Sequence, residues 1–342
     1  MTQKEQTRQI SFIQAINEAL RQELERDPDV IVMGEDIGGG GEREDFQDAW
    51  GGPMRLTKGL VNDFGRERIR DTPISETVFM GAGVGAAATG LRPVIDLMYV
   101  SFFGVCADQI LNNAAKMHYM FGGKVTVPMT IMTAIGAGTG NAAQHSETLY
   151  SIFTHFPGLK CVVPSNPYNA KGLMTAAIRD NDPVMFFHNR QLMGLRFEDH
   201  VPSEQYTVEI GKSEIKQEGD DITLIGIGYT TRVCMEAAQE LESQGISVEV
   251  LDLLSLSPMD NEAILSSVRK TRKVVIVDED YPRCSIAADI SALIAEEAFD
   301  YLDAPPKRVT PPHTSVPYSR SLEPLFVPDK NNVVSAALDT IG

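Results

Sequence analysis

"DITLIGIGYTTRVCMEAAQELESQGISVEVLDL", residues 221–253, decides the fold class. A β-branched run reaches a glycine turn, an amphipathic helical stretch follows, and a second β-branched run closes the unit. Two strands joined through a helix lie parallel, because the crossover returns the chain to the starting edge of the sheet. The same alternation extends outward. Downstream come a helix after Pro258, "KVVIVDED", "SIAADISALIAEEAFDYL" and "KRVT". Upstream, the helix "SFIQAINEALRQELERD", with Ser11 as N-cap, precedes the strand "DVIVMGED". After it come a helix from Ser75, "RPVIDLM", the helix "FGVCADQILNNAAKMHYMF", "VPMTIMTAI", the helix "SETLYSIFTHF", "LKCVVPS", the helix "PYNAKGLMTAAIRD" and "PVMFFHN". The expected fold is therefore α/β, with two α/β domains and mainly parallel sheets. The turn-rich stretch 196–219 breaks the pattern, which places one domain at 1–195, a linker at 196–219 and a smaller domain at 220–342. A chain of 342 residues fits two domains at about 150 residues each.

Charge and composition narrow the function. The net charge of −17 disfavours binding to nucleic acid or to anionic membranes, so any phosphorylated ligand needs local neutralisation. No run approaches the roughly 20 apolar residues of a membrane span, and the N-terminus lacks an apolar signal core; the expected compartment is the cytoplasm. Cys106, Cys161, Cys234 and Cys284 are far apart with no ligand spacing, and are expected as small buried hydrophobes.

Three glycine-rich stretches invite a nucleotide reading. "GAGVGA", residues 81–86, fits G-x-G-x-x-A but follows a weak strand, and its small residues suit close helix packing better. "GIGYTT" follows a genuine strand and has Asp252 where a ribose-binding acid would stand, yet the third glycine is missing; a nicotinamide-dependent dehydrogenase stays open as a rival. "AIGAGTGNAAQHSETLY", residues 134–150, leaves the carboxyl end of a strand, where ligands of α/β sheets collect, and delivers His145.

"DTPISE", "GLRPVIDLM", "DQILNNAAKMHYMFGG", "AAQHSE", "PGLKCVVPS", "AKGLMTAAIRDNDPV" and "PRCSIAADI" occur in this order over nearly the whole chain. Together they closely resemble the β subunit of the E1 component of thiamine-diphosphate-dependent 2-oxo acid dehydrogenase complexes. "DAWGG" followed by "TKGL" resembles the acetoin dehydrogenase branch more than the pyruvate or branched-chain branches, which remain the alternatives; "FFHNRQLMGL" departs from the family pattern.

The resemblance implies a transketolase-like pyrimidine-binding domain followed by a transketolase C-terminal domain. It assigns Glu76 to the N1′ atom of the cofactor's aminopyrimidine, where it sets the ring tautomer. Without the resemblance, an acid opening a helix reads as a dipole partner worth under about 1 kcal/mol. Phe102 would lie against the pyrimidine, with Ile74 and Met98 beside it. His145 would handle protons as the intermediate passes to lipoamide on an E2 lipoyl acyltransferase. The resemblance also implies a potassium site at the carbonyls of Met129, Ala177 and Ile178 and the side chains of Asp180 and Asp182, hard oxygen donors that suit such an ion. No GDG magnesium motif occurs in the chain, so Mg2+ and the cofactor's diphosphate are expected on an α subunit, in an α2β2 heterotetramer. A non-catalytic scaffolding subunit is the remaining rival, and it predicts that Glu76 and His145 are dispensable.

Overall fold

The computed structural model describes residues 8–38 and 51–342. Asp48, Ala49 and Trp50 of the "DAWGG" marker lie outside the described residues. By contacts the chain divides into two compact units: 1–134 with 153–188 and 192–210, and 135–152 with 189–191 and 211–342. Two short pieces that precede the expected linker are thus grouped with the second unit, and one of them carries His145.

In chain order the helices are α1 Phe12–Arg26, α2 Leu60–Phe64, α3 Glu76–Ala88, α4 Phe103–Asp108, α5 Met117–Met120, α6 Tyr150–Thr154, α7 Pro167–Arg179, α8 Arg190–Met193, α9 Tyr229–Glu242, α10 Asn261–Thr271, α11 Ile286–Glu297 and α12 Lys330–Ile341. The strands are β1 Val30–Gly34, β2 Ile69–Asp71, β3 Arg92–Tyr99, β4 Thr130–Ile135, β5 Lys160–Val162, β6 Val184–Asn189, β7 Glu214–Gln217, β8 Ile222–Gly226, β9 Val248–Asp252, β10 Ser255–Ser257, β11 Val274–Val277 and β12 Lys307–Val309.

In the first unit the strands lie in the order β5-β6-β4-β3-β1-β2. β1 pairs in parallel with both β2 and β3, aligning Gly34 with Asp71 and with Asp96. The carboxyl ends of three neighbouring strands therefore open at one edge, where this class of fold binds ligands. α1 starts as its sequence demands: Ser11 and Gln14 form a reciprocal capping box, and Phe12, Ile16, Leu20 and Leu24 are buried. α7 starts on the Asn166 side chain with Pro167 in the first turn. Between these helices the fully buried Glu23 is matched by Arg26 and Arg179, so its charge is compensated.

The second unit has the order β12-β11-β8-β9-β7. Its pairs are parallel except that β7 runs antiparallel to β9. Leu224, Val250 and Val275 of the sheet pack against Cys234, Ala237 and Leu241 of α9 and against Val333 and Ala337 of α12.

Four expectations change. "FGVCADQILNNAAKMHYMF" is not one helix: Cys106 leaves helical geometry at φ −120° and ψ 18°, and Gln109–Ala114 form a π turn. The Thr77 hydroxyl donates to the Val105 carbonyl, and the Asn113 amide donates to the Asp108 carbonyl and carboxylate, which diverts carbonyls that a regular helix would use. "SETLYSIFTHF" yields only the short α6, with Pro157 following close behind. The linker contains β7. Cys284, expected buried, is exposed at φ +50°, directly before the Ser285 cap of α11; the other three cysteines are buried.

Candidate active site

Glu76 opens α3. Its N-cap, Ser75, turns its hydroxyl to the Pro73 carbonyl and leaves the helix N-terminus without a side-chain cap. The carboxylate therefore sits beside uncapped N–H groups at the positive end of the helix dipole. The smooth body of α3 explains how the helix is seated. A Cβ on Gly83 would stand 2.8 Å from Ile95 Cδ1 and 3.1 Å from Met129 Cε, so the glycine lets α3 lie directly on side chains of the sheet.

Met98 and Phe102 come from the carboxyl end of β3. Met98 adopts φ +66°, held by its N–H donating to Asp96 Oδ1 at 2.8 Å. The Phe102 ring, half-buried, stands edge-on to Tyr99 with centroids 5.6 Å apart. The first unit thus gathers Ile74, Glu76, Met98 and Phe102 at the carboxyl ends of β2 and β3, which flank β1. Ile74 is 77% exposed, as are Val78 at 67% and Val105 at 62%, so the glutamate stands at the margin of an apolar surface.

Two acids at this edge were missed from the sequence. Burial raises the Glu35 carboxyl above the usual range, and the charges of Asp36 and Glu76 raise it further. Asp96, fully buried, is pushed up to about 6, chiefly by desolvation, with the Met98 N–H opposing and Glu35 adding. Cys106 is driven up to about 12 by burial, with the Glu76 charge contributing. Glu76 thus acts on both a carboxyl and a thiol. The signal available in the sequence was "GED" at the end of a strand, a place where acids face a ligand cleft.

His145 ends a 3-10 turn, Ala143–His145, in the second unit. The candidate catalytic pair is therefore divided between the units. The loop before it is built from left-handed residues, Gly136, Gly138, Gly140 and Ala142, with φ from +59° to +96°. Only glycine adopts such angles readily, so the "GAGTG" spacing is a conformational requirement.

The residues expected to hold potassium are engaged with the chain itself. Lys160 Nζ lies 2.8 Å from both Asp180 carboxylate oxygens and 3.0 Å from Asp182 Oδ2. Arg92 donates to the carbonyls of Ile178 at 3.0 Å and Asp180 at 2.9 Å. The Met129 carbonyl accepts from Val184 and that of Ala177 from Asp180. Among the described residues no group of three or more His, Cys, Asp or Glu could hold a metal ion. The nicotinamide reading loses its ribose acid: Asp252 is fully buried and accepts the Thr231 hydroxyl at 2.8 Å. Among the described residues no helix is long and apolar enough to cross a membrane.

Comparison with known proteins identifies the family. Residues 8–195 match the family described as transketolase, pyrimidine binding domain, and residues 211–333 match transketolase, C-terminal domain. The acetoin:2,6-dichlorophenolindophenol oxidoreductase subunit beta of Bacillus subtilis (strain 168) is 52% identical over 337 residues, covering 98% of each chain. Its counterpart of the same name from Cupriavidus necator is 48% identical, again over 98% of both. A solved structure described as a split gene transketolase, inactive beta4 tetramer, matches with a TM-score of 0.76 at 20% identity, covering 98% of this chain and 99% of that one, and so shares the fold. The chain belongs to the transketolase-type E1 beta-subunit family of thiamine-diphosphate-dependent dehydrogenases, and within it is most similar to the beta subunits of acetoin oxidoreductases.

Proposed function

We propose that this chain supplies the pyrimidine half of a thiamine diphosphate site in an acetoin-cleaving E1 enzyme, with an α subunit supplying the other half. One observation carries the reading: Glu76 stands at an uncapped helix start, at the margin of an exposed apolar surface, in the unit that also carries the Phe102 ring. The residues present fit the aminopyrimidine. A carboxylate holds a ring N–H, Phe102 offers a flat apolar face, and Ile74 and Met98 fill the space beside it. They do not fit a diphosphate, because the Glu35 charge acts on Glu76, and Asp36 and Asp96 in turn interact with Glu35, which makes this edge acidic. The diphosphate and Mg2+ therefore go to the α subunit, and the exposed side chains of Ile74, Val78 and Val105 suit burial against it.

Bound thiamine diphosphate supplies a nucleophilic carbon and an electron sink for breaking a carbon–carbon bond next to a carbonyl. Glu76 holds the aminopyrimidine and governs its protonation. His145 moves protons during transfer of the two-carbon unit to lipoamide on an E2 acyltransferase. An α2β2 assembly in the cytoplasm fits this division of labour, with 1–195 and 220–342 as the two functional domains. Potassium on the Asp180 loop would rest on the carbonyls of Met129, Ala177 and Ile178, since Lys160 already neutralises the carboxylates. Each of those carbonyls has a second lone pair.

The test is reconstitution with the α subunit and side-by-side assays of acetoin, pyruvate and branched-chain oxo acids, using dichlorophenolindophenol as electron acceptor. Acetoin should give the highest kcat/KM, and a strong preference for an oxo acid would reassign the substrate. Titration of thiamine diphosphate should show tight binding only when both subunits are present.

A further inference from the structure

The loop that leads to His145 is gripped by a residue far away in sequence. Gly136, Gly138 and Gly140 are all left-handed, a geometry that turns backbone N–H groups toward one side and forms a nest for an anion. The chain provides the anion. Glu323, 4% exposed, accepts from Gly138 N at 2.7 Å, and from Gly140 N at 3.1 Å on Oε1 and 2.9 Å on Oε2.

The carboxylate is itself fixed. The Glu323 N–H donates to Ser319 O and its carbonyl accepts from Phe326 N, while Phe326 and Val316 pack on Ala137. Two further side chains press the loop. A Cβ on Gly136 would lie 2.5 Å from Asn189 Nδ2, and one on Gly138 would lie 2.6 Å from Gln191 Cδ. Asn189 in turn donates to Glu279 at 2.6 Å. Beyond His145, the Glu147 carbonyl accepts from Gly136 N at 3.3 Å and closes the loop on itself. All of these residues belong to the second unit.

We propose that Glu323 is a positioning residue for His145, acting through the Gly138 and Gly140 N–H groups and never touching the reactants. The inference rests on the reading of His145 as the group that moves protons during transfer to lipoamide. A loop with three left-handed glycines has little stiffness of its own, so its shape depends on the carboxylate that fills it. Without that carboxylate the Gly138 and Gly140 N–H groups lose their acceptor and the imidazole shifts. A displacement of about 1 Å is enough to slow a positioned step by about 100-fold.

The experiment compares Glu323→Ala, Glu323→Gln and His145→Ala in the enzyme assembled with its α subunit. Two acceptors are used with the same substrate, dichlorophenolindophenol and lipoamide. Glu323→Ala should lower the lipoamide rate at least ten times more than the dye rate, and His145→Ala should show the same split. Glu323→Gln, which keeps an oxygen for the N–H groups, should recover part of the loss. Hydrogen–deuterium exchange at 136–142 should quicken in Glu323→Ala and stay close to wild type in His145→Ala. If His145→Ala shows the split and Glu323→Ala slows both acceptors equally or neither, the positioning role is wrong while the His145 reading stands. If His145→Ala shows no split, the His145 reading falls and the positioning role with it, and faster exchange in Glu323→Ala then marks a purely structural clamp. Unchanged exchange in Glu323→Ala overturns the clamp itself.

Discussion

Glu76 is a candidate that its motif names, whereas the acids Glu35 and Asp96 at the same edge are not. In the sequence Asp96 is one acid inside the strand "RPVIDLM", and Glu35 is a polar ending to another strand. Their importance comes from parallel register, which sets Gly34 beside Asp96 and brings the ends of β1 and β3 together. Asp96 has a definite structural task, since its carboxylate accepts the N–H of Met98, a residue held at φ +66°. Asp96→Asn retains an acceptor oxygen and should cost little. Asp96→Ala leaves that N–H unmatched and should destabilise by about 1–3 kcal/mol, read as a lower denaturant midpoint with an unchanged slope. Equal loss in both variants would mean that the Met98 turn does not depend on this bond.

At the scale of elements, the start of α1, the crossover units and both sheets were legible because capping and periodicity are local. The interruption after α4 was not, because it depends on Thr77 of α3 taking the Val105 carbonyl, a contact between separate elements. α3 itself makes a paired prediction. Gly83→Val would force a branched side chain against Ile95 and Met129, and overpacking of this kind costs about 1–3 kcal/mol. A Cβ on Gly85 meets nothing within 4 Å, so Gly85→Ala should gain up to about 1 kcal/mol of helix propensity. Thermal melts of the chain should move in opposite directions; a shift in the same direction would contradict the packing of α3 on the sheet. On the Asp180 loop, the melting temperature in potassium chloride should exceed that in choline chloride if the remaining carbonyl lone pairs hold the ion. Identical melts would remove potassium from the account.

For the whole molecule, the acidic balance reaches into the interior. Asp278, Glu279 and Asp280 are buried at the end of β11, where Tyr150, Ser151 and Asn189 donate to them. Desolvation raises all three carboxyls, and Glu279 reaches about 8, with the Asp278 charge adding. Because the folded value lies above the unfolded 4.5, Glu279 keeps its proton in the folded chain after the unfolded chain has lost its own. Its contribution to stability is complete below about 4.5 and is lost as pH rises toward about 8, at about 1.4 kcal/mol per pH unit while the two states differ. The melting temperature should fall between pH 6 and 8, and Glu279→Gln should flatten that fall. A parallel fall in the variant would place the titration elsewhere.

At this scale the missing GDG motif is what the sequence offers toward the proposed division of labour between subunits. The assignment of 135–152 and 189–191 to the second unit was not legible, since their partners Glu323, Asp278 and Glu279 lie 90 or more residues downstream. The most direct test of the half-site is the acetoin-dependent dye reduction rate of Glu76→Gln, assembled with its α subunit and saturated with thiamine diphosphate and magnesium. The variant should assemble normally and turn over at least about 100-fold more slowly, the scale expected when a group that governs proton transfer is lost. A rate within a few-fold of wild type would contradict the role of Glu76, and with it the half-site built on that carboxylate.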